Sequence, residues 1–425
     1  MSPDESRLLS QTGPGTTMGD LLRRFWTPAL LSSELVADGA PARLRLFGED
    51  LLAFRDSGGR VGLFGEHCAH RGASLYFGQN GKGGLRCWYH GWKFDVDGGC
   101  LETPNEPSDS LQRRVRQKTY PCVEKNGAVW TYLGPVDSMP PLPSLEWLQV
   151  PQDHVFVSKR IQLCHWTQGM EGDLDPRHLA FLHAGAIDTT EEHAGQASAD
   201  WLKQDLVPVI EAVPKAVGLM FAARRNAGAE SYFWRVGQWM MPFFTTIPAF
   251  PGLGPLAGHA WVPADDASST VFTFSWHPTR PLSQQELLVM NSGTAVHAGL
   301  IPGTFLPMCN KGNEYAGPDA PPAPQPWMRV KHFQDQDICI TESIGAVFDR
   351  SQENLGSSDA VIGRVRATLT SAARGLREGR EPPGRDPAEY RMRPVSVQLP
   401  RNTPSWAEEI AEAVDTRPET FRASV

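Results

Sequence analysis

The chain has no long apolar run: nothing in its 425 residues approaches the roughly 20 apolar residues of a membrane span. Its first residues, MSPDESRLLSQTG, carry no basic stretch followed by an apolar one, so no targeting signal is read and a soluble, cytoplasmic protein is expected. No block of Lys or Arg occurs, and 40 basic against 48 acidic side chains leave a net charge of −8. That balance argues against nucleic acid and would suit a basic protein partner. No Gly-x-Gly-x-x-Gly follows a strand-like run, and Gly13-Pro-Gly15 lacks the Gly-Lys-Ser/Thr of a phosphate loop, so any flavin or nicotinamide chemistry must reside on another protein. Cysteine is scarce and odd in number, 7 in all, scattered at 68, 87, 100, 122, 164, 309 and 339. No disulfide framework emerges, which points to a reducing compartment, where a cysteine close to a histidine reads as a metal ligand.

The length implies two or three domains. Residues 1–40 read as mostly helical, most clearly Met18–Trp26. From 41 to 135 short strand patterns dominate, among them Arg43–Phe47, Leu51–Phe54 and Ala128–Leu133. Glycine pairs punctuate them at 58–59, 83–84 and 98–99, the pattern of a small antiparallel β domain. A Pro-rich stretch over 135–151 reads as a linker and puts a domain boundary near 150. Beyond it, 160–184 reads as helix, 217–223, 231–241 and 270–276 as strands, 316–326 as a mobile loop, and 359–377 and 406–414 as helices.

Two groups of residues carry chemistry. The first is Cys68-Ala-His70, then sixteen residues, then Cys87-Trp-Tyr-His90. Two Cys-plus-His pairs on separate loops can grip one 2Fe–2S cluster from both sides, as in a Rieske centre. There two thiolates hold one iron and two imidazoles the other, which raises the reduction potential well above that of an all-cysteine cluster. Structural zinc usually takes other spacings, Cys-x2–4-Cys with His-x3–5-His. The flanking residues, Arg71-Gly72 after one histidine and Gly91-Trp92-Lys93-Phe94-Asp95 after the other, also fit the cluster. His67 reads as a loop bystander, and Cys100 and Cys122 as structural.

The second group is Glu171-Gly-Asp-Leu-Asp175-Pro-Arg-His178-Leu-Ala-Phe-Leu-His183. Histidines five apart do not stack on a regular helix face, so a local widening of the helix is expected to turn both inward. Two histidines and one carboxylate make an iron site with open positions. Asp337, in Gln334-Asp-Gln-Asp337, is the expected carboxylate, with Asp335 the alternative. Alone, such a histidine pair is often structural. Beside an electron-carrying cluster it gains a purpose.

Together these motifs make the chain resemble the oxygenase component (α subunit) of Rieske non-haem iron aromatic ring-hydroxylating oxygenases. The likeness is to the phthalate 4,5-dioxygenase-like branch. It runs through Thr12–Gly15, Met18–Trp26, Arg71–Leu75, Glu171-Gly172, Gln334-Asp335, Glu342-Ser343, Asp349-Arg350, Leu355-Gly356 and Ser358-Asp359. The resemblance implies an α+β architecture: an N-terminal Rieske antiparallel β-sandwich and a C-terminal helix-grip domain, an antiparallel sheet covered by helices. Over this chain that divides as a helical segment at 1–40 packed with the catalytic domain, a Rieske domain at 41–150 and a catalytic domain at 151–425. It implies a 2Fe–2S cluster on Cys68, His70, Cys87 and His90, and mononuclear Fe(II) on His178, His183 and Asp337. It also implies a homotrimer, or stacked trimers, in which Asp175 bridges His90 of one subunit and His178 of the next. Electrons come from a separate NAD(P)H-dependent reductase of flavin or ferredoxin type. The substrates are O2 and a small aromatic molecule.

One departure stands at Cys164-His165-Trp166, where the family usually has Asn before Trp. His165 is a polar residue packed near the iron, a group tuning the hydrogen bonding there, or a third ligand. For the substrate, Tyr232, Phe233, Trp234, Trp239, Met240, Met241, Phe243 and Phe244 form either sheet core or, in part, an aromatic pocket wall. Phe181 faces pocket or core. Arg224, Arg225 or Arg235 could pair with a substrate carboxylate, although each alone suits the surface. Dihydroxylation of a phthalate- or benzoate-like acid competes with monooxygenation, including O-demethylation of an aryl ether. A Rieske electron carrier without oxygenase activity is the alternative of another class.

Overall fold

A computed structural model describes residues 1–189, 197–249, 254–317, 320 and 322–416. The chain divides into two compact units, one comprising 12–139 with 263–265, the other 1–11, 140–262 and 266–425.

The smaller unit is built on short antiparallel strands. Ala42–Leu46, whose polar and apolar residues alternate, lies at the edge of a four-stranded sheet. It pairs with Glu49–Arg55, which pairs with Val61–Gly65, and Thr119–Tyr120 closes the far side. Leu51–Phe54 is an unbroken apolar run and is wholly buried, as a central strand requires. A second four-stranded sheet, Gln79–Gly81, Gly84–Arg86, Lys93–Phe94 and Cys100–Glu102, carries the second Cys–His loop between its middle strands. Phe54, Phe64, Leu85, Trp92 and Phe94 fill the core behind that loop, together with Cys68 and Cys87. The helical reading of the first forty residues holds for Thr17–Leu22 here and Pro3–Ser10 in the other unit. It fails at Thr27–Leu31, a strand pairing with Ala128–Thr131, because sheet pairing overrides the local pattern.

The larger unit is an eight-stranded sheet with helices. Its order is Val155–Gln162, Ser269–Trp276, Leu256–Pro263, Phe244–Ile247, Ser231–Met240, Gly218–Asn226, Val209–Lys215, with Val395–Pro400 also paired to Ser231–Met240. The three expected strands near 217–223, 231–241 and 270–276 are present, as is the amphipathic helix Ala360–Arg377. The expected linker at 135–151 is different over its second half. Glu146–Gln149 is a short helix, and Trp147 is fully buried against Phe274 and Trp276, with ring centroids 5.2 and 5.0 Å away. Residues 318, 319 and 321 of the expected mobile loop lie outside the described residues. Among the described residues no helix is long and apolar enough to cross a membrane.

The expectation of one helix across 160–184 is overturned. Residues 155–162 are strand, the helix runs only over Trp166–Asp173, and His178–Ala180 is a single tight turn. Pro176 disfavours helical backbone at the residue before it. The Asp175 carboxylate oxygen Oδ1 accepts the Arg177 backbone N–H at 2.9 Å, which closes the turn instead. His178 and His183 therefore meet across a tight turn rather than across a widened helix.

Candidate metal centres and the cavity

In the smaller unit, two loops present the Cys–His pairs with the same hydrogen-bond closure. The Cys68 backbone N–H donates to Ala73 O at 2.8 Å, and the Gly72 N–H returns to Cys68 O at 2.9 Å. In the second loop the Cys87 N–H donates to Trp92 O at 2.7 Å and the Gly91 N–H to Cys87 O at 3.0 Å. Both closures need a left-handed residue, and Gly72 and Gly91 each supply φ of +73°. Both cysteines are buried while His70 and His90 are half-exposed, with ring centroids 4.6 Å apart. Trp92 stacks on His70 at 4.3 Å and anchors its own N–H on Asn105 Oδ1 at 2.7 Å.

Burial pushes the Cys68 thiol up to about 11, against backbone N–H donation from His70, and the neighbouring Cys87 adds to the rise. Two buried sulfurs, that of Cys68 with N–H groups aimed at it, and two rings at the rim form a donor set that fits a 2Fe–2S group, whose irons compensate the thiolate charge. His67 bonds its own loop, Nδ1 to Gly72 O at 2.9 Å. Gln117 was not legible as part of this site. Its amide accepts from the Ala69 N–H at 2.8 Å and donates to Gly65 O and His67 O, both at 2.9 Å, so it locks the first loop from 48 residues away.

In the larger unit, the Phe333–Ser343 helix packs against the Trp166–Asp173 helix and supplies the carboxylate. His178 Nε2 lies 3.2 Å from His183 Nε2, and Asp337 Oδ1 lies 3.1 Å from His183 Nε2 and 3.8 Å from His178 Nε2. Two ligands held at right angles about 2.1 Å from a divalent ion sit about 3.0 Å apart, so these atoms fit one metal ion. Asp335 does not join them. It is buried beside the Cys309 thiol, and burial raises its pKa.

Each ring is held from behind. His178 Nδ1 donates to the Asp175 backbone carbonyl at 2.5 Å, while the Asp175 carboxylate stays 3.9 Å away. His183, only 2% exposed, donates from Nδ1 to Gln336 Oε1 at 2.8 Å, and Gln336 is tied in turn to Val330 O at 3.0 Å. Burial opposes charge on His183, but the Asp337 carboxylate outweighs it and raises the pKa. Gln336 was missed in the sequence, although it stands between the two aspartates weighed as ligands.

His165 is not part of the trio. It is fully buried and caps the Trp166–Asp173 helix, its Nδ1 accepting the Thr167 N–H at 3.3 Å with Thr167 Oγ1 at 2.8 Å. Burial and the nearby Arg350 hold its pKa well below the ordinary value, so the ring is neutral, as an acceptor cap requires.

A cavity of about 480 Å3 opens over the trio, lined by His178, His183 and Asp337 and, among others, by Phe221, Arg235 and Trp261. Phe233, Trp239, Met240, Met241, Phe243 and Phe244 do not line it. They are core, and Trp234 stacks on Trp406 at 5.2 Å. Phe181 is 71% exposed and faces neither. The surface reading of the arginines holds only for Arg224, which lies over the Tyr232 ring. Arg225 is 1% exposed and braces the Pro176 carbonyl at 2.8 Å, and Arg235 is buried at the cavity wall.

Residues 25–121 match the Rieske [2Fe-2S] domain, and residues 131–404 match the family described as LigXa C-terminal domain like. The chain is 34% identical over 406 residues to the 3-chlorobenzoate-3,4-dioxygenase oxygenase subunit of Comamonas testosteroni, covering 91% of this chain and 92% of that protein. It is 34% identical to the phthalate 4,5-dioxygenase oxygenase subunit of Pseudomonas putida, covering 89% and 88%. The terminal oxygenase of carbazole 1,9a-dioxygenase from Nocardioides aromaticivorans shares the fold, with a TM-score of 0.61 at 17% identity over 89% of this chain and 100% of that one. The chain belongs to the Rieske non-haem iron aromatic oxygenases, as an oxygenase component of the phthalate 4,5-dioxygenase-like branch.

Proposed function

We propose that this chain hydroxylates a small aromatic carboxylate, with O2 and with electrons that a separate NAD(P)H-dependent reductase delivers. The observation that carries the substrate class is Arg235, a buried guanidinium on the wall of the same cavity that His178, His183 and Asp337 line. One arm of its fork, Nη2, donates to the Pro248 carbonyl; the positive charge at the cavity wall still suits a carboxylate, and the apolar wall around it suits a ring. Two relatives named for 3-chlorobenzoate and phthalate support the same class.

Cys68, His70, Cys87 and His90 hold the cluster, and His178, His183 and Asp337 hold the iron. When bound, the cluster supplies single electrons and the iron the site of O2 activation. The residues 41–150 serve electron transfer and 151–425 catalysis. Asp175 holds His178 in one tautomer through its backbone carbonyl. Its carboxylate, 28% exposed, accepts the ring N–H of His90 from a neighbouring copy in a homotrimer or stacked trimers. Arg235 orients the acid, and the cavity wall excludes water from the reacting face.

The test is turnover with a surrogate reductase and labelled O2 across benzoate- and phthalate-like acids. A diol carrying both atoms of one O2 is expected. Formaldehyde from methoxylated acids, with no diol from any acid, replaces this reading with O-demethylation. Arg235→Leu is expected to raise KM for the acid and leave both metal centres loaded; an unchanged KM removes the carboxylate contact.

A further inference from the structure

One polar corner of the cavity is used by neither metal centre. Asp173, at the end of the Trp166–Asp173 helix, offers one oxygen, Oδ2, to three donors. They are Thr245 Oγ1 at 2.5 Å, His259 Nδ1 at 2.8 Å and Trp261 Nε1 at 2.8 Å. The strands explain the convergence. Thr245 is paired directly across from His259, and Trp261 is two residues further along the same face. Burial favours the neutral acid, but His259, Thr245 and Trp261 together hold Asp173 below the usual carboxylate range. Arg160, fully buried with its guanidinium 5.4 Å from the Trp261 ring centre, adds a positive charge that answers the carboxylate.

A carboxylate oxygen at Nδ1 keeps a proton on that nitrogen, and in the neutral ring the other nitrogen then presents a lone pair. The ring is 2% exposed and lines the cavity. No group among the described residues is within hydrogen-bond geometry of its Nε2. Asp337, His178 and His183 face one another, and Asp173 Oδ2 already takes three donors. His259 Nε2 has no donor among the described residues, and a buried acceptor without a donor is destabilising.

We infer that His259 Nε2 is a specificity contact of this cavity, accepting a hydrogen bond from a hydroxyl on the aromatic substrate while Asp173 positions the ring. The inference rests on reading the cavity as the substrate site and adds to it: the substrate bears a ring hydroxyl. A pocket built to bond a hydroxyl discriminates strongly against the analogue that lacks it.

The test measures binding, by calorimetry on the holoenzyme without reductase. The probes are benzoate, the three monohydroxybenzoates, their methoxy counterparts, phenol and anisole. At least one hydroxybenzoate is expected to bind about tenfold or more tighter than both benzoate and its methoxy counterpart, which has no proton to give. His259→Phe is expected to erase that advantage. If that variant does not fold, judged by cluster absorption and melting, His259→Lys keeps a donor to Asp173, offers no acceptor and is expected to erase the advantage likewise.

The inference is overturned if no hydroxyl-bearing probe outbinds its partner, if the methoxy analogue shares the advantage, or if the advantage survives loss of His259. Benzoate binding without hydroxyl preference overturns this contact and leaves the acid reading standing. Phenol outbinding anisole through His259, with no acid bound, does the reverse. Binding of no probe overturns both.

Discussion

Gln336→Leu should weaken iron binding at the mononuclear site without touching the Rieske cluster. The Gln336 carbonyl takes the Nδ1 proton of His183 at 2.8 Å, and His183 is 2% exposed. Leucine is of similar size but accepts nothing, so a buried N–H loses its partner and the ring its orientation. An unpaired buried donor costs about 1–3 kcal/mol. At about 1.4 kcal/mol per factor of ten, this predicts iron bound about 10–100-fold more weakly, the range usual for loss of a group orienting a ligand histidine. Chelator competition measures the affinity, and visible absorption of the cluster in the same sample is the internal control. Gln336→Glu, whose carboxylate can accept the same proton, should retain the iron. The reasoning is refuted if Gln336→Leu holds iron as tightly as the parent protein while His183→Ala loses it, since the hydrogen bond then does nothing for the ligand.

Two further outcomes follow from single contacts. Gly91→Ala places a Cβ 2.9 Å from Pro104 Cγ at a residue with φ of +73°, a double conflict of about 1–2 kcal/mol or more. Cluster content should fall while mononuclear iron stays bound, read from acid-labile sulfide against total iron. Asp173 has a native pKa below its ordinary value, so its contribution to stability is complete above the unfolded pKa and lost as pH falls through the native one. Asp173→Asn should therefore lower the melting temperature at neutral pH and flatten its fall towards acid. An unchanged acid profile would show that Asp173 is not ionised in the folded chain.

The cluster loops could be read directly from sequence because their chemistry is local. Cys68, His70 and Gly72, and Cys87, His90 and Gly91, lie within single turns whose closure needs those residue types in that order. Asp337 could be preferred because a carboxylate beside two histidines has few candidates, and the helix phase agrees, turning Asp335 to Cys309. Gln117, Asp173 and His259 left no such trace. Gln117 reaches its loop across 48 residues, and His259 reaches Asp173 across 86. Pattern reading failed most plainly over 160–184, where Pro176 and the Asp175 turn break what looks like one helix. It also failed over 144–150, where a Pro-rich flank hides a buried tryptophan. The aromatic run at 232–244 misled for the opposite reason, since its residues fill the sheet core and leave the cavity wall to Phe221 and Trp261.

The measurement closest to the central claim is the metal content of fully loaded protein, with and without His178. About three irons and two acid-labile sulfides per chain are predicted, falling to about two irons and two sulfides in His178→Ala. Two irons per chain in the fully loaded parent, unchanged by His178→Ala, would contradict the account and leave a Rieske electron carrier in its place.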